Sequence, residues 1–270
     1  MLNKEGFPYH YEPPDRSPQD LNDGSSDTLQ TISSPPRLTW KTHEREYAQY
    51  VDRFLKRSLR PEEYQRNFLG QIHVPYDNKN RLANEAASLR YIKQMTNVPV
   101  PAVLDAYEQE GSFYLWTELV RGIPMKELSR PDQAVVMREV EQHLLTLHEL
   151  HFGRVGGPSG IISPPPRATS HFDVHHEWVS APTAGLVFCH NDLSQSNILV
   201  NPDDLKISGI IDWEFAGYYP SYFEAHFFRD PRPSGAQMRD LGDDLQLVDF
   251  LSQHCQTDRP MHRLSLSTGS

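Results

Sequence analysis

Apolar positions are spaced unevenly along the chain, and their rhythm divides it into segments. Residues 1–36 place few apolar side chains among PPDRSPQD, DGSSD and SSPPR, which predicts a disordered or loosely attached arm. Over 38–59, Tyr47, Tyr50, Val51, Phe54 and Leu55 recur at helical spacing between charged residues, predicting an amphipathic helix that stops at Arg60-Pro61. The run NFLGQIHVPY is β-prone and broken by Pro75, as in a strand or hairpin arm. Residues 81–95 set Leu82, Ala86, Leu89 and Ile92 on one helical face, and Pro99 and Pro101 block any continuation. A hairpin follows, turning at Glu110-Gly111.

Residues 131–150 predict a second long helix, with Val135, Val136, Val140, Leu144, Leu147 and Leu150 as its apolar face. A glycine- and proline-rich loop and the polar stretch HFDVHHEWVSAPTAG come next. LVFCHNDLSQSNILV and LKISGIIDWEFAGYYP then read as short strands on both sides of a polar loop, with a turn at 201–204 and an aspartate at a strand's exit. LQLVDFL is helix-like, and the polar end beyond it is expected to fray.

With 270 residues and 37% hydrophobic composition, the chain suits one large domain or two lobes sharing a cleft. No run approaches the roughly 18 apolar residues of a membrane span, and MLNKEGFPYHYEPPD lacks the apolar core of a secretory signal. Cys189 and Cys255 are too few for a disulfide framework, so a reducing, cytosolic setting is expected. A formal charge of -10 argues against sequence-independent binding of nucleic acid. No membrane partner is expected either.

Chemistry concentrates in His190-Asn191-Asp192-Leu193-Ser194-Gln195-Ser196-Asn197 and, after it, Ile210-Ile211-Asp212. Phosphoryl transfer needs a carboxylate to receive a hydroxyl proton and oxygen ligands for Mg²⁺ bridging the phosphates. An Asp followed five positions later by an Asn offers the base and one ligand on a single turn, and a strand-end carboxylate offers the second ligand. Asp192, Asn197 and Asp212 fit those tasks in that order. The bland alternative is that Asp192 and Asn197 cap turns and Asp212 ends a strand.

Other features read as ordinary surface or core. His171, Asp173, His175, His176 and Glu177 match no standard zinc spacing and suit a solvated loop. His143, His148 and His151 suit surface or helix-end positions, and Cys189 suits packing. Glu214 either supports the metal site or substrate, or pairs with a nearby cation. The aromatic run from Phe215 to Phe228 suits packing rather than a cage for a quaternary ammonium.

FCHNDLSQSNILV together with IIDWEFAGYYP resembles the signature of the aminoglycoside phosphotransferase and choline kinase-like superfamily, and more narrowly its uncharacterised fungal phosphotransferase-family members. LANEAASLRYIKQMTNVPVP, FYLWTELVRG and GGPSG extend the resemblance over about 68–232. It implies an α+β, protein-kinase-like two-lobed fold, with a small β-rich lobe and a larger mainly helical lobe around ATP. Together with the arm and tail read from composition, this divides the chain into an arm (1–36), a small lobe with its preceding helix (37–118), a large lobe (119–255) and a tail (256–270). It also implies Asp192 as catalytic base, His190 as a brace of the catalytic loop, and Asn197 and Asp212 as Mg²⁺ ligands. Glu118, Leu119 and Val120 would form the hinge facing adenine, and Glu85 would pair with a lysine that grips the phosphates.

The expected lysine position is His73, and a neutral imidazole is a poor substitute for an ammonium. No glycine-rich loop precedes it, Gly70 standing alone, so the small lobe is expected to be reduced. Lys79 is a further candidate for phosphate contact. Two functions follow. One is a Mg²⁺-ATP-dependent phosphotransferase acting on a hydroxyl of a small molecule, such as an amino alcohol, a sugar-like metabolite or an antibiotic. The other is a catalytically impaired relative serving as a binding or scaffold module. Phosphorylation of proteins is disfavoured, because no Ala-Pro-Glu sequence follows Asp212.

Overall fold

The computed structural model describes residues 35–66, 69–172 and 178–257. The expected arm at 1–36 lies almost wholly outside them, as do most of the polar tail and residues 173–177 of the histidine-rich stretch. The amino-terminal strands β1 (Leu38–Lys41), β2 (Arg45–Gln49) and β3 (Arg53–Ser58) are followed by helix α1 (Asn78–Met95), then β4 (Val103–Gln109) and β5 (Ser112–Glu118). They form one antiparallel sheet in the order β1-β2-β3-β5-β4, with α1 packed against β3, β4 and β5.

The helix expected over 38–59 is therefore three strands. Its apparent helical period comes from a turn at 50–52, closed by the Tyr50 N–H donating to the Arg53 carbonyl at 2.9 Å. Each strand alternates by twos, and the odd-length turn shifts the phase between them. Trp40 and Tyr47 confirm the sheet geometry by stacking across β1 and β2, with centroids 5.0 Å apart. The strand expected in NFLGQIHVPY is absent from the described part of that run, where an isolated bridge joins Arg66 to Ile72. The small lobe holds a five-stranded sheet.

α1 matches its expected face, with Leu82, Ala86 and Ile92 fully buried. The second lobe comprises β6 (Ile123–Pro124), α2 (Arg130–His148), α3 (Pro166–Thr169), β7 (Trp178–Ser180), β8 (Val187–Cys189), β9 (Ile198–Asn201), β10 (Lys206–Ile210), β11 (Gly217–Tyr219), α4 (Ser234–Leu241), α5 (Asp244–His254) and β12 (Cys255–Thr257). Its strands form three small antiparallel sheets: β10-β9-β6, β11-β8 and β12-β7. In α2, Val136, Val140, Leu144 and Leu147 face the core, whereas Val135 is turned to solvent.

The aromatic run is packing, as expected. Trp213, Tyr218, Tyr219, Phe223, Phe227 and Phe228 are essentially inaccessible. Full burial of such a side chain contributes about 1.5–3 kcal/mol, so this cluster anchors the segment that follows Asp212. The lobes meet where the buried Asn84 of α1 donates to the Glu214 and Ala216 carbonyls, at 3.0 and 2.9 Å. Gly157 makes room for that amide, since a Cβ there would lie 1.8 Å from Asn84 Oδ1. The result is an α+β, two-lobed fold.

Candidate functional site

The loop between β8 and β9 is held from within and from below. Asn191 adopts a left-handed conformation (φ 68°) and donates to the Phe215 carbonyl at 2.8 Å. The buried Glu224 carboxylate accepts the His190 and Asn191 N–H groups. The Ser194 N–H donates to the Asp192 carbonyl and the Asn197 N–H to that of Ser194, which closes the turn. Gln195 donates to the Phe228 carbonyl at 2.9 Å, tying the loop to the aromatic cluster.

His190 joins this loop to the strand exit at Asp212. The Asp192 N–H donates to His190 Nδ1 at 3.2 Å, so that nitrogen carries a lone pair. The proton is then on Nε2, which donates to the Ile211 carbonyl at 3.0 Å. Burial lowers the imidazole to about 4, so it is neutral near pH 7 and acts as a fixed bridge. Asn197 uses its amide NH₂ on the Asp192 carbonyl and carboxyl, at 2.8 and 3.2 Å. Its side-chain oxygen is the atom left for a cation. Asp192 Oδ1 is buried and has no hydrogen-bond partner among the described residues. Burial above all pushes this carboxyl up to about 7, with Asp212 and Glu214 adding to the rise and Ser234 and Asn197 opposing it.

Across the cleft, Lys56 on β3 donates to Glu85 Oε1 at 2.6 Å and also contacts Asp212. This corrects the expectation at His73. The cation beside Glu85 is Lys56, whereas the exposed His73 packs its ring against His43 on the surface. The misread helix hid the lysine, because a strand reading of Phe54-Leu55-Lys56-Arg57-Ser58 sends Lys56 inward between its neighbours. Burial works against the Lys56 ammonium, but Asp212 and Glu85 outweigh it and hold the group charged well above its ordinary range. Lys79 is also removed from consideration by its exposed pairing with Glu108.

Two further cations were not singled out from the sequence. Arg45 of β2 and Arg81 of α1 both grip the Glu214 carboxylate, the latter at 2.8 Å. Burial alone would raise Glu214, but Arg45 and Arg81 hold it down at about 2. Of the two readings of Glu214, pairing with cations is the observed one. A second glutamate, Glu44, receives Arg81 from the other side at 3.0 Å.

A cavity of about 430 Å³ opens between the lobes, lined by Phe54, Lys56, Glu85, Thr117, Leu119, Val120, Leu199 and Ile211 among others. An adjoining recess of about 360 Å³ is lined by Glu118, Leu119 and Val120. The Leu119 N–H is taken by the Asp52 carbonyl at 3.0 Å, which fixes the 118–120 crossing between the lobes. The structure therefore gathers Glu85, Asp192, His190, Asn197, Asp212 and 118–120 around one cleft and leaves His73 outside it. Cys189 is buried beneath the loop with its thiol pushed well up by burial, in keeping with packing. His171 pairs with Asp244 at 2.6 Å.

A lysine–glutamate pair, a loop carboxylate and a strand-exit aspartate thus lie around one interlobe cavity. Residues 173–241 match the model of the phosphotransferase enzyme family, so the resemblance read from the sequence holds for that stretch. No curated protein matches the chain. Among solved structures, an aminoglycoside phosphotransferase from Streptomyces rimosus is 19% identical, with 80% of this chain and 83% of that one covered at a TM-score of 0.49. An aminoglycoside 2'-phosphotransferase in complex with GDP is 12% identical, with 83% and 82% covered at 0.49. A type VIII aminoglycoside-3'-phosphotransferase is 15% identical, with 84% and 97% covered at 0.46.

Proposed function

We propose that the chain is a Mg²⁺-ATP-dependent phosphotransferase that phosphorylates a hydroxyl group of a small molecule. The observation that carries this reading is Lys56, buried between Glu85 and Asp212 at the edge of the interlobe cavity. A permanent ammonium held there suits nucleotide phosphates, and the apolar walls of Phe54, Val120 and Leu199 suit a base. Leu119 and Val120 line the cavity at the crossing between the lobes. Asn197 and Asp212 supply hard oxygen donors for Mg²⁺, which neutralises phosphate charge when bound.

Asp192 then takes the proton of the acceptor hydroxyl on its unpartnered Oδ1. The acceptor oxygen bonds to the terminal phosphorus, the bond from phosphorus to the bridging oxygen breaks, and ADP leaves with that oxygen. His190 stays neutral and bridges the two segments, accepting the Asp192 N–H on Nδ1 and donating from Nε2 to the Ile211 carbonyl. The impaired-module alternative rested on a missing lysine, and Lys56 removes that motive. It keeps one support, the absence of glycine from the β1–β2 turn.

The test is transfer of labelled phosphate from ATP to a panel of amino alcohols, sugars and aminocyclitols. Asp192→Asn should slow transfer by about 10²–10⁴-fold while leaving ATP binding intact. Equal rates for both proteins, or no transfer to any hydroxyl compound, would overturn the proposal.

A further inference from the structure

Away from the catalytic loop, the β1–β2 turn carries His43 and Glu44, and His73 reaches the same place from the segment ahead of α1. One ligand atom from each residue lies within 4.8 Å of the other two. The imidazoles meet edge to face, with centroids 4.7 Å apart and planes at 78°. Both histidines are exposed and Glu44 is half-buried. The cluster joins side chains separated by about thirty positions in sequence, so local chain proximity does not explain it.

Both backbones are anchored. The Thr42 hydroxyl accepts the Glu44 and Arg45 N–H groups at 3.3 and 3.1 Å, and the His73 N–H donates to the Gln65 carbonyl at 2.8 Å. Arg81 fixes the Glu44 carboxylate, donating to its two oxygens at 3.2 and 3.0 Å. A carboxylate oxygen that accepts one hydrogen bond keeps a lone pair for a cation, and such an outer partner orients it.

We propose that His43, Glu44 and His73 form a surface site for a divalent transition cation of the zinc type. Two imidazoles and one carboxylate are a recurrent three-ligand set for zinc, leaving a fourth position for water. Mg²⁺ and Ca²⁺ prefer all-oxygen surroundings, so this donor set selects against them. Ligand atoms about 2.0–2.2 Å from a tetrahedral zinc stand roughly 3.4 Å apart. Small rotations of exposed side chains bring the three atoms to that spacing. An occupied site would clip the β1–β2 turn to the segment before α1, and through Glu44 and Arg81 it would adjoin the Glu214 network.

The test titrates ZnCl₂, and CoCl₂ as a spectroscopic probe, into the full chain by calorimetry and absorption. One equivalent should bind, with intense cobalt d–d bands of low coordination number, and excess MgCl₂ should not compete. His43→Ala and His73→Ala should each weaken binding by about tenfold or more, and the double variant should abolish the cobalt bands. His43→Gln and Glu44→Gln, with circular dichroism, separate loss of a ligand from loss of fold. Unchanged affinity and spectrum in the double variant would place the cation elsewhere and overturn the proposal, as would absence of binding to the native chain.

Discussion

Asp192 sits where burial and neighbouring carboxylates work in the same direction, so its proton is held to about pH 7. That value favours a general base at neutral pH, because the proton affinity stays high while a useful fraction is ionised. Phosphate transfer should therefore rise with pH and reach half its plateau near 7, a profile that Asp192→Asn should lack. The stability effect has a definite sign. An unfolded aspartate loses its proton near 3.8. Between there and about 7 the native state binds more protons, so native stability falls as pH rises through that window. Asp192→Asn should be relatively more stable than the native chain at pH 8 than at pH 4, as read from urea unfolding. Glu224, pushed up to about 7 mainly by burial and further by Asp192, acts in the same direction, and losing the Asp192 charge weakens its effect in the variant, which adds to the expected difference.

At the scale of elements, β3 and α1 bring a lysine and a glutamate 29 positions apart into contact. The helix that carries the glutamate was legible from its apolar period, the glutamate's role came only from the family resemblance, and the loop residues were legible because β8, β9 and β10 flank them with compact apolar runs. Lys56 was not, since the turn at 50–52 made two strands mimic a helix and moved the expected lysine to His73. Arg45, Arg81 and Glu224 were hidden for a different reason. Buried charges gain their meaning only from partners distant in sequence, such as Glu214, which lies 169 positions from Arg45. His73→Lys puts the two accounts in direct opposition. With Lys56 already beside Glu85, it should leave the affinity for Mg²⁺-ATP within about twofold, a change of under 1 kcal/mol by the usual conversion. A sharp rise in affinity by calorimetry would reinstate His73 as the phosphate position.

Across the whole molecule, Arg45 and Arg81 from the small lobe converge on Glu214 from the large lobe, and Asn84 braces the same turn. The arrangement couples the lobes through buried charge, where removal of one partner leaves the others poorly compensated. Glu214→Gln should cost about 3 kcal/mol of stability. It should also raise amide exchange at Trp213–Phe215 and in the amino-terminal turns of α1 before other regions open. Exchange that rises evenly across both lobes would count against a specific interlobe latch.

The central claim is that Lys56 and Asp212 face a nucleotide across the cleft. Its most direct test is calorimetric titration of ATP with and without Mg²⁺ into the native chain, Lys56→Met and Asp212→Asn. Each protein is first checked for cooperative unfolding. The account predicts binding that strengthens with Mg²⁺ in the native chain, loss of the Mg²⁺ dependence in Asp212→Asn, and weaker binding in Lys56→Met. Native binding that ignores Mg²⁺ and survives both substitutions, or no binding at millimolar ATP, would contradict it.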